Sequence, residues 1–217
     1  MNEIIKLELL KYPQGFEWSL DAPLDGGGVL ETLHPIGDPY YSSDGLEDVE
    51  TIKCPPDLWS QYLQCSKGRW SSTIQTNLIN FANKYGFSHY IILQKDITNL
   101  SDNSRENPFP PTRQFIFDDI ENLKQAHYDY LQMGTFSQFA LDILNNTGIY
   151  LHAGFTKDGY VMESQSTHSN IWLTWYQSVM KGHARLCSVC KLPFYSKRKN
   201  ADVCGGTCRN LKSKGSK

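Results

Sequence analysis

The chain has 217 residues, 40% of them apolar and 20% charged, with twelve Tyr, ten Phe and five Trp. That is enough apolar material for a sizeable core, which excludes a wholly disordered chain, and the length suits one medium domain plus a small module. The net charge of −2 conceals an asymmetry: residues 181–217 carry ten Lys or Arg and one acid, Asp202, leaving the rest strongly acidic.

A basic module on an acidic body points to an anionic partner. No run approaches the ~18 apolar residues of a spanning helix, so no membrane partner is expected. The opening run Met1–Glu8 mixes acids into its apolar residues and lacks the layout of a signal peptide. A cytoplasmic protein is expected. In that compartment the six cysteines read as thiols or metal ligands rather than disulfides.

In chain order, residues 2–20 alternate loosely and predict one or two strands, broken at Pro13-Gln14-Gly15. Residues 21–57 are crowded with turn signals and predict a long irregular segment. Its Asp25-Gly26-Gly27-Gly28 lacks either phosphate-loop frame and reads as a flexible turn. Asp44, Glu47, Asp48 and Glu50 lack calcium-loop spacing and read as a solvated face. Leu58, Trp59, Tyr62 and Leu63 fall on one face of a helix. A second helix opens at Ser72, with Gln75 completing a capping box, and carries Ile74, Leu78, Phe81 and Tyr85 inward. Gly86 stops it in the left-handed conformation.

His89–Leu93 predicts a short strand and 99–111 a polar, proline-rich loop. A long helix follows from about Thr112 to Gln132, with Phe115, Ile116, Ile120, Leu123, His127 and Leu131 as its buried stripe. Asp118 and Asp119 sit early on it, where the helix dipole favours acids. Neighbouring residues on a helix point apart, so the two are not expected to act on one atom. Gly134 ends that helix. Phe136–Leu144 makes another, closed by residues 145–148. Two β-like runs around Thr156-Lys157-Asp158-Gly159 predict a hairpin. Thr167 or Ser169 caps a last helix with Ile171, Trp172, Trp175, Tyr176 and Val179 inward, ended by Gly182.

No nucleophile elbow, paired-histidine zinc helix or nucleotide loop is present in the sequence. His152, Glu163 and His168 surround the hairpin and form the one candidate metal or acid–base group in the body; their alternative is three unrelated residues. Cys54 and Cys65 lie outside any motif, and idle thiols are the default for such residues.

The specific signal is C-terminal. Cys187-Ser188-Val189-Cys190 is followed, thirteen residues on, by Cys204-Gly205-Gly206-Thr207-Cys208. Two close pairs at this separation match a four-thiolate zinc site, with Zn2+ as the expected cofactor. One tight turn offers the first two sulfurs. A helix N-terminus favours the second pair as thiolates. Leu192-Pro193-Phe194-Tyr195 supplies an apolar plug. The expected order is a knuckle, a short hairpin and a helix, which is a treble-clef-like finger. A redox dithiol pair is the alternative, without thioredoxin-like surroundings to support it.

With Cys187-x2-Cys190-x3-Phe194, the basic run Lys197-Arg198-Lys199 and Cys204-x3-Cys208-Arg209, residues 183–212 resemble the C-terminal zinc finger of uncharacterised bacterial and phage proteins. They are also similar to the finger of the CGNR family. That resemblance implies a DNA-binding regulator of transcription. After Cys208 this chain has Arg209-Asn210 where that family has Gly-Asn-Arg.

The expected architecture is therefore an α+β, mostly helical body over 1–182 and a basic finger over 183–217. Lys197, Arg198, Lys199, Arg209, Lys212 and Lys214 are the candidate nucleic-acid-binding residues. A zinc-stapled module that docks a protein is the alternative, and an enzyme with its site in the body a third.

Overall fold

A computed structural model describes residues 4–11, 14–21, 30–36, 50–67, 72–87, 112–148, 152–156, 159–164 and 167–215. The first elements are β1 (Ile4–Lys11), β2 (Phe16–Asp21), β3 (Leu30–Pro35), β4 (Glu50–Lys53), α1 (Leu58–Gln64), α2 (Ser72–Tyr85), α3 (Arg113–Met133) and α4 (Gln138–Gly148). They are followed by β5 (His152–Thr156), β6 (Gly159–Ser164), α5 (Thr167–Met180), β7 (Ala184–Leu186), β8 (Pro193–Tyr195) and α6 (Gly206–Gly215). Helix outweighs strand among the described residues, and none of these helices is long and apolar enough to cross a membrane. The chain divides into two compact units, each assembled from three separate stretches.

The first unit comprises Met1–Cys54, Ala82–Ile116 and Thr147–Asn170. Its main sheet has the order β4-β1-β6-β5. The two halves of β1 take different partners: Ile4–Leu7 run parallel to β6, and Glu8–Lys11 run antiparallel to β4. β5 and β6 form the expected hairpin, with Thr156 opposite Gly159. β2 and β3 pair separately, from Phe16 opposite Pro35 to Asp21 opposite Leu30. The turn before β2 depends on Gly15, whose φ is +82°. A Cβ there would lie 2.7 Å from the Asn83 side-chain oxygen, which accepts a 2.7 Å hydrogen bond from the Phe16 amide. Only glycine leaves room for that bond at that backbone angle.

The turn-rich stretch 21–57, expected to be irregular, contains β3 and β4. β3 pairs with the preceding strand β2, and β4 with β1, well removed in sequence, a partner about which turn signals on either side carry no information. The Asp25–Gly28 turn, the acids at 44, 47 and 48, the run 89–93 and the loop 99–111 lie outside the described residues.

The second unit comprises Pro55–Phe81, Phe117–Asn146 and Ile171–Lys217. Its core is built from the helical periodicity. Leu58, Trp59, Tyr62 and Leu63 of α1 are fully buried, as are Leu78 of α2, Ile120 and Leu123 of α3, and Ile171, Trp172 and Trp175 of α5. Three tryptophans buried together are affordable because each indole N–H finds an acceptor. Trp59 donates to Ser178 Oγ at 3.0 Å, Trp172 to Asp119 Oδ1 at 2.8 Å, and Trp175 to His127 Nδ1 at 3.3 Å. Glycines in the left-handed region end three helices: Gly86 after α2, Gly134 after α3 and Gly182 after α5.

Two details of the helices differ from the periodicity reading, and a third agrees with the expected divergence of Asp118 and Asp119. Leu131, the last residue of the expected α3 stripe, is 48% exposed; in that turn its neighbour Tyr130 makes the packing contact, its ring 5.1 Å from Phe136. Asp119 is buried whereas Asp118 is exposed, so the acidic pair is split between core and solvent. Residues 145–148, expected to close α4, belong to the helix itself.

Candidate metal centre

The C-terminal cysteines are positioned by backbone geometry that the sequence spacing demands. β7 and β8 pair antiparallel, with Arg185 opposite Phe194, and the turn between them carries the first two cysteines. The Cys187 amide donates to the Leu192 carbonyl at 3.0 Å, and the Lys191 amide donates to the Cys187 carbonyl at 3.0 Å. The knuckle is thus the turn of the hairpin, not an element preceding it as expected: a turn tight enough to offer two sulfurs brings its flanking residues into pairing distance. Lys191 closes the turn with φ +61°, a conformation that favours glycine.

The chain then folds back, so that the Ser188 amide donates to the Asp202 carbonyl at 2.8 Å. This bond fixes the first cysteine pair against the second. Cys204 precedes α6, and Cys208 lies in its first turn. Cys187, Phe194 and Cys208 are buried, with Val189, Ala201 and Val203 packed around them. Phe194 is the expected apolar plug.

All four sulfurs, of Cys187, Cys190, Cys204 and Cys208, lie within 4.8 Å of one another. Cys190 to Cys204 and Cys204 to Cys208 are each 3.6 Å. A tetrahedron of ~2.3 Å zinc–sulfur bonds has edges of ~3.8 Å. The donor set therefore matches a four-thiolate ion such as zinc in both number and size.

The electrostatics show what a cation would resolve. Burial opposes ionisation of Cys187, but the amides of Cys190, Cys204 and Val189 outweigh it and hold the thiol down at about 6. Burial pushes Cys208 up to about 12, with hydrogen bonds from the other three cysteines adding to it. Burial also raises Cys190. One thiolate forms readily and further ones repel it. A divalent ion removes that conflict and lets all four ionise.

A residue far away in sequence completes the cluster. Lys67, just past α1, donates from Nζ to Cys204 Sγ at 2.9 Å. Two further bonds tie this module to helices of the same unit. The Tyr195 amide donates to Ser60 Oγ at 3.1 Å, and Tyr128 Oη donates to the Lys191 carbonyl at 2.6 Å. No spacing or motif in the sequence points to Lys67.

Of the candidate basic residues, Lys197, Arg198, Lys199, Arg209 and Lys214 are exposed around the cysteine cluster. Lys212 is also exposed but forms an ion pair with Asp202, the one acid of the tail. Its ammonium holds the Asp202 carboxyl below the usual carboxylate range.

Elsewhere, His152 and Glu163 are register partners on β5 and β6. His168 lies in the first turn of α5, its ring tilted against Phe115 at 5.6 Å. Cys54 and Cys65 are buried. The Cys65 thiol is pushed by burial up to about 12 and contacts the carbonyls of Gln61 and Asn77 as a donor. It is a structural thiol.

His127 is a second feature beyond the reach of sequence. Sequence periodicity placed it on the buried stripe without indicating its state. Its ring stacks on Trp59 at 5.9 Å, and burial pushes the imidazole down to about 4. Tyr62, fully buried, is raised well above 10 by burial and then by the Asp119 carboxylate. No family model, curated protein or solved structure matches the chain.

Proposed function

We propose that Cys187, Cys190, Cys204 and Cys208 hold one zinc ion, and that the module so formed binds nucleic acid, DNA in the first instance, as part of a regulatory protein. The observation that carries the zinc reading is the four-sulfur cluster, all within 4.8 Å. The hairpin, knuckle and helix support a treble-clef-like finger, akin to that of the CGNR proteins. The exposed cations Lys197, Arg198, Lys199, Arg209 and Lys214 support the nucleic-acid reading. Zinc would supply folding energy and charge neutralisation, while these side chains contact phosphates. Nothing in the set matches a base-reading pattern, so binding by phosphate contact is the expectation.

Five phosphate contacts correspond to a salt slope of about −4.5. The test is a DNA and RNA shift assay across salt concentrations. Binding should weaken steeply with salt and disappear in the triple variant Lys197→Ala, Arg198→Ala, Lys199→Ala. No binding at low salt would refute the nucleic-acid reading.

A second reading has its own support. The bonds from Lys67, Ser60 and Tyr128 to the cysteine module make it an integral part of a helical unit. A zinc staple that stabilises this unit, or presents it to a protein partner, needs no nucleic acid. Zinc-dependent folding with no affinity for either nucleic acid would favour it.

A further inference from the structure

We propose that Lys67 is an outer-sphere residue of the metal centre, which offsets the charge of the tetrathiolate and shields Cys204 from electrophiles. This rests on the zinc reading above. Four thiolates around Zn2+ leave a net charge of −2, and the surrounding module is small. An ammonium at hydrogen-bond distance from one sulfur halves that net charge. It also draws electron density from that sulfur, which becomes the least nucleophilic of the four.

The local structure places Lys67 for this role. After α1 the chain continues with three successive tight bonds. The Cys65 amide donates to Tyr62, Ser66 to Leu63 and Lys67 to Gln64, at 3.0, 3.2 and 3.0 Å. The Ser66 hydroxyl adds a 2.8 Å bond to the Leu63 carbonyl. Asn77 of α2 donates to the Cys65 carbonyl at 3.4 Å, and Cys65 Sγ contacts the Asn77 carbonyl at 3.6 Å. Lys67 thus leaves a corner braced from both helices. It is half-buried, and its ammonium meets Cys204 across 137 positions of sequence. A surface lysine free to seek water has no reason to be braced in this way. Its ammonium bonds a sulfur of the cluster directly.

The role differs from that of Ser60 and Tyr128. Those two bond to backbone groups of Tyr195 and Lys191 and hold the module in place. Lys67 acts on a ligand atom. Outer-sphere partners of metal ligands are worth roughly 10- to 100-fold in metal affinity.

The experiment compares the zinc-loaded full chain with Lys67→Met, Lys67→Arg and Ser60→Ala. Zinc per chain is measured by elemental analysis and affinity by competition with a chromophoric chelator. Alkylation by iodoacetamide is followed for each cysteine by mass spectrometry. Lys67→Met should hold zinc about 10-fold more weakly and alkylate faster at Cys204 than at Cys187. Lys67→Arg should restore most of both. Ser60→Ala, which loosens the module without touching a sulfur, should leave the relative rates of the cysteines unchanged. Wild-type affinity and rates in Lys67→Met would overturn the proposal, as would acceleration of all four cysteines together, which marks a merely structural role. Wild-type protein without stoichiometric zinc would instead overturn the metal reading, and this proposal with it.

Discussion

Acidification should destabilise the second unit through one residue, His127. Its imidazole is 1% exposed, lies against Trp59, and accepts the Trp175 indole N–H on Nδ1. Burial favours the neutral ring and pushes its pKa from 6.5 down to about 4. In the unfolded chain the ring protonates near 6.5, so between these values the unfolded state binds one more proton. The stability conferred by a neutral His127 is therefore complete above pH 6.5 and is lost as pH falls towards 4. A difference of about 2.5 pKa units corresponds to about 3.4 kcal/mol in all. At pH 5 about 2 kcal/mol of that is already gone.

The assay is urea unfolding at pH 7, 6 and 5, followed by tryptophan fluorescence, for wild type and His127→Gln. Glutamine keeps an acceptor for Trp175 but does not titrate. Loss of metal at low pH affects both proteins alike and cancels in the difference. Between pH 7 and 5 the wild type should lose about 2 kcal/mol more than the variant. Equal losses would show that the buried ring is not the acid-sensitive group, and the reasoning from its burial would fail.

Three further outcomes are expected. Cys208→Ser should abolish stoichiometric zinc by elemental analysis, and a strong chelator should do the same to the wild type and lower its melting temperature. Asp119→Ala leaves the Trp172 indole N–H without its acceptor and should lower unfolding stability by about 1–3 kcal/mol, whereas exposed Asp118→Ala should stay within about 0.5 kcal/mol; denaturant titrations distinguish them. Lys191→Gly relieves the left-handed strain at φ +61° and should raise the midpoint of thermal unfolding, by up to about 1 kcal/mol in stability.

What the sequence made legible was local chemistry. α1, α2, α3 and α5 follow from the 3.6-residue recurrence of large apolar side chains, and their ends from Gly86, Gly134 and Gly182. The four-cysteine cluster follows from two short spacings, since each pair is set by its own turn. What stayed hidden depends on partners distant in sequence. β4 exists because β1 offers it an edge. Leu131 keeps the helical period, but Tyr130 beside it makes the contact, with Phe136 beyond the end of the helix. Lys67 reaches the sulfurs because α1 and α2 aim the corner between them, and a single lysine in a sequence carries no sign of that. His127 and Asp119 sat on a legible face, but their bonds to Trp175 and Trp172 require α5 to pack beside α3.

The division of each unit among three stretches bears on how the chain matures as it is synthesised. β1 cannot find its parallel partner until β6 has been translated, since Ile4 pairs with Val161. Lys67 likewise waits 137 residues for Cys204. At about 5–20 residues per second this is a delay of roughly 7 to 27 seconds. For most of that interval the apolar face of α1 has no α5 to cover it, and α3 waits likewise from its own synthesis until Met180 is added. The newborn chain therefore has a window in which chaperones, or other copies on the same message, can engage it. Closure comes late, when the last tryptophan helix emerges and the cysteines behind it capture their ion.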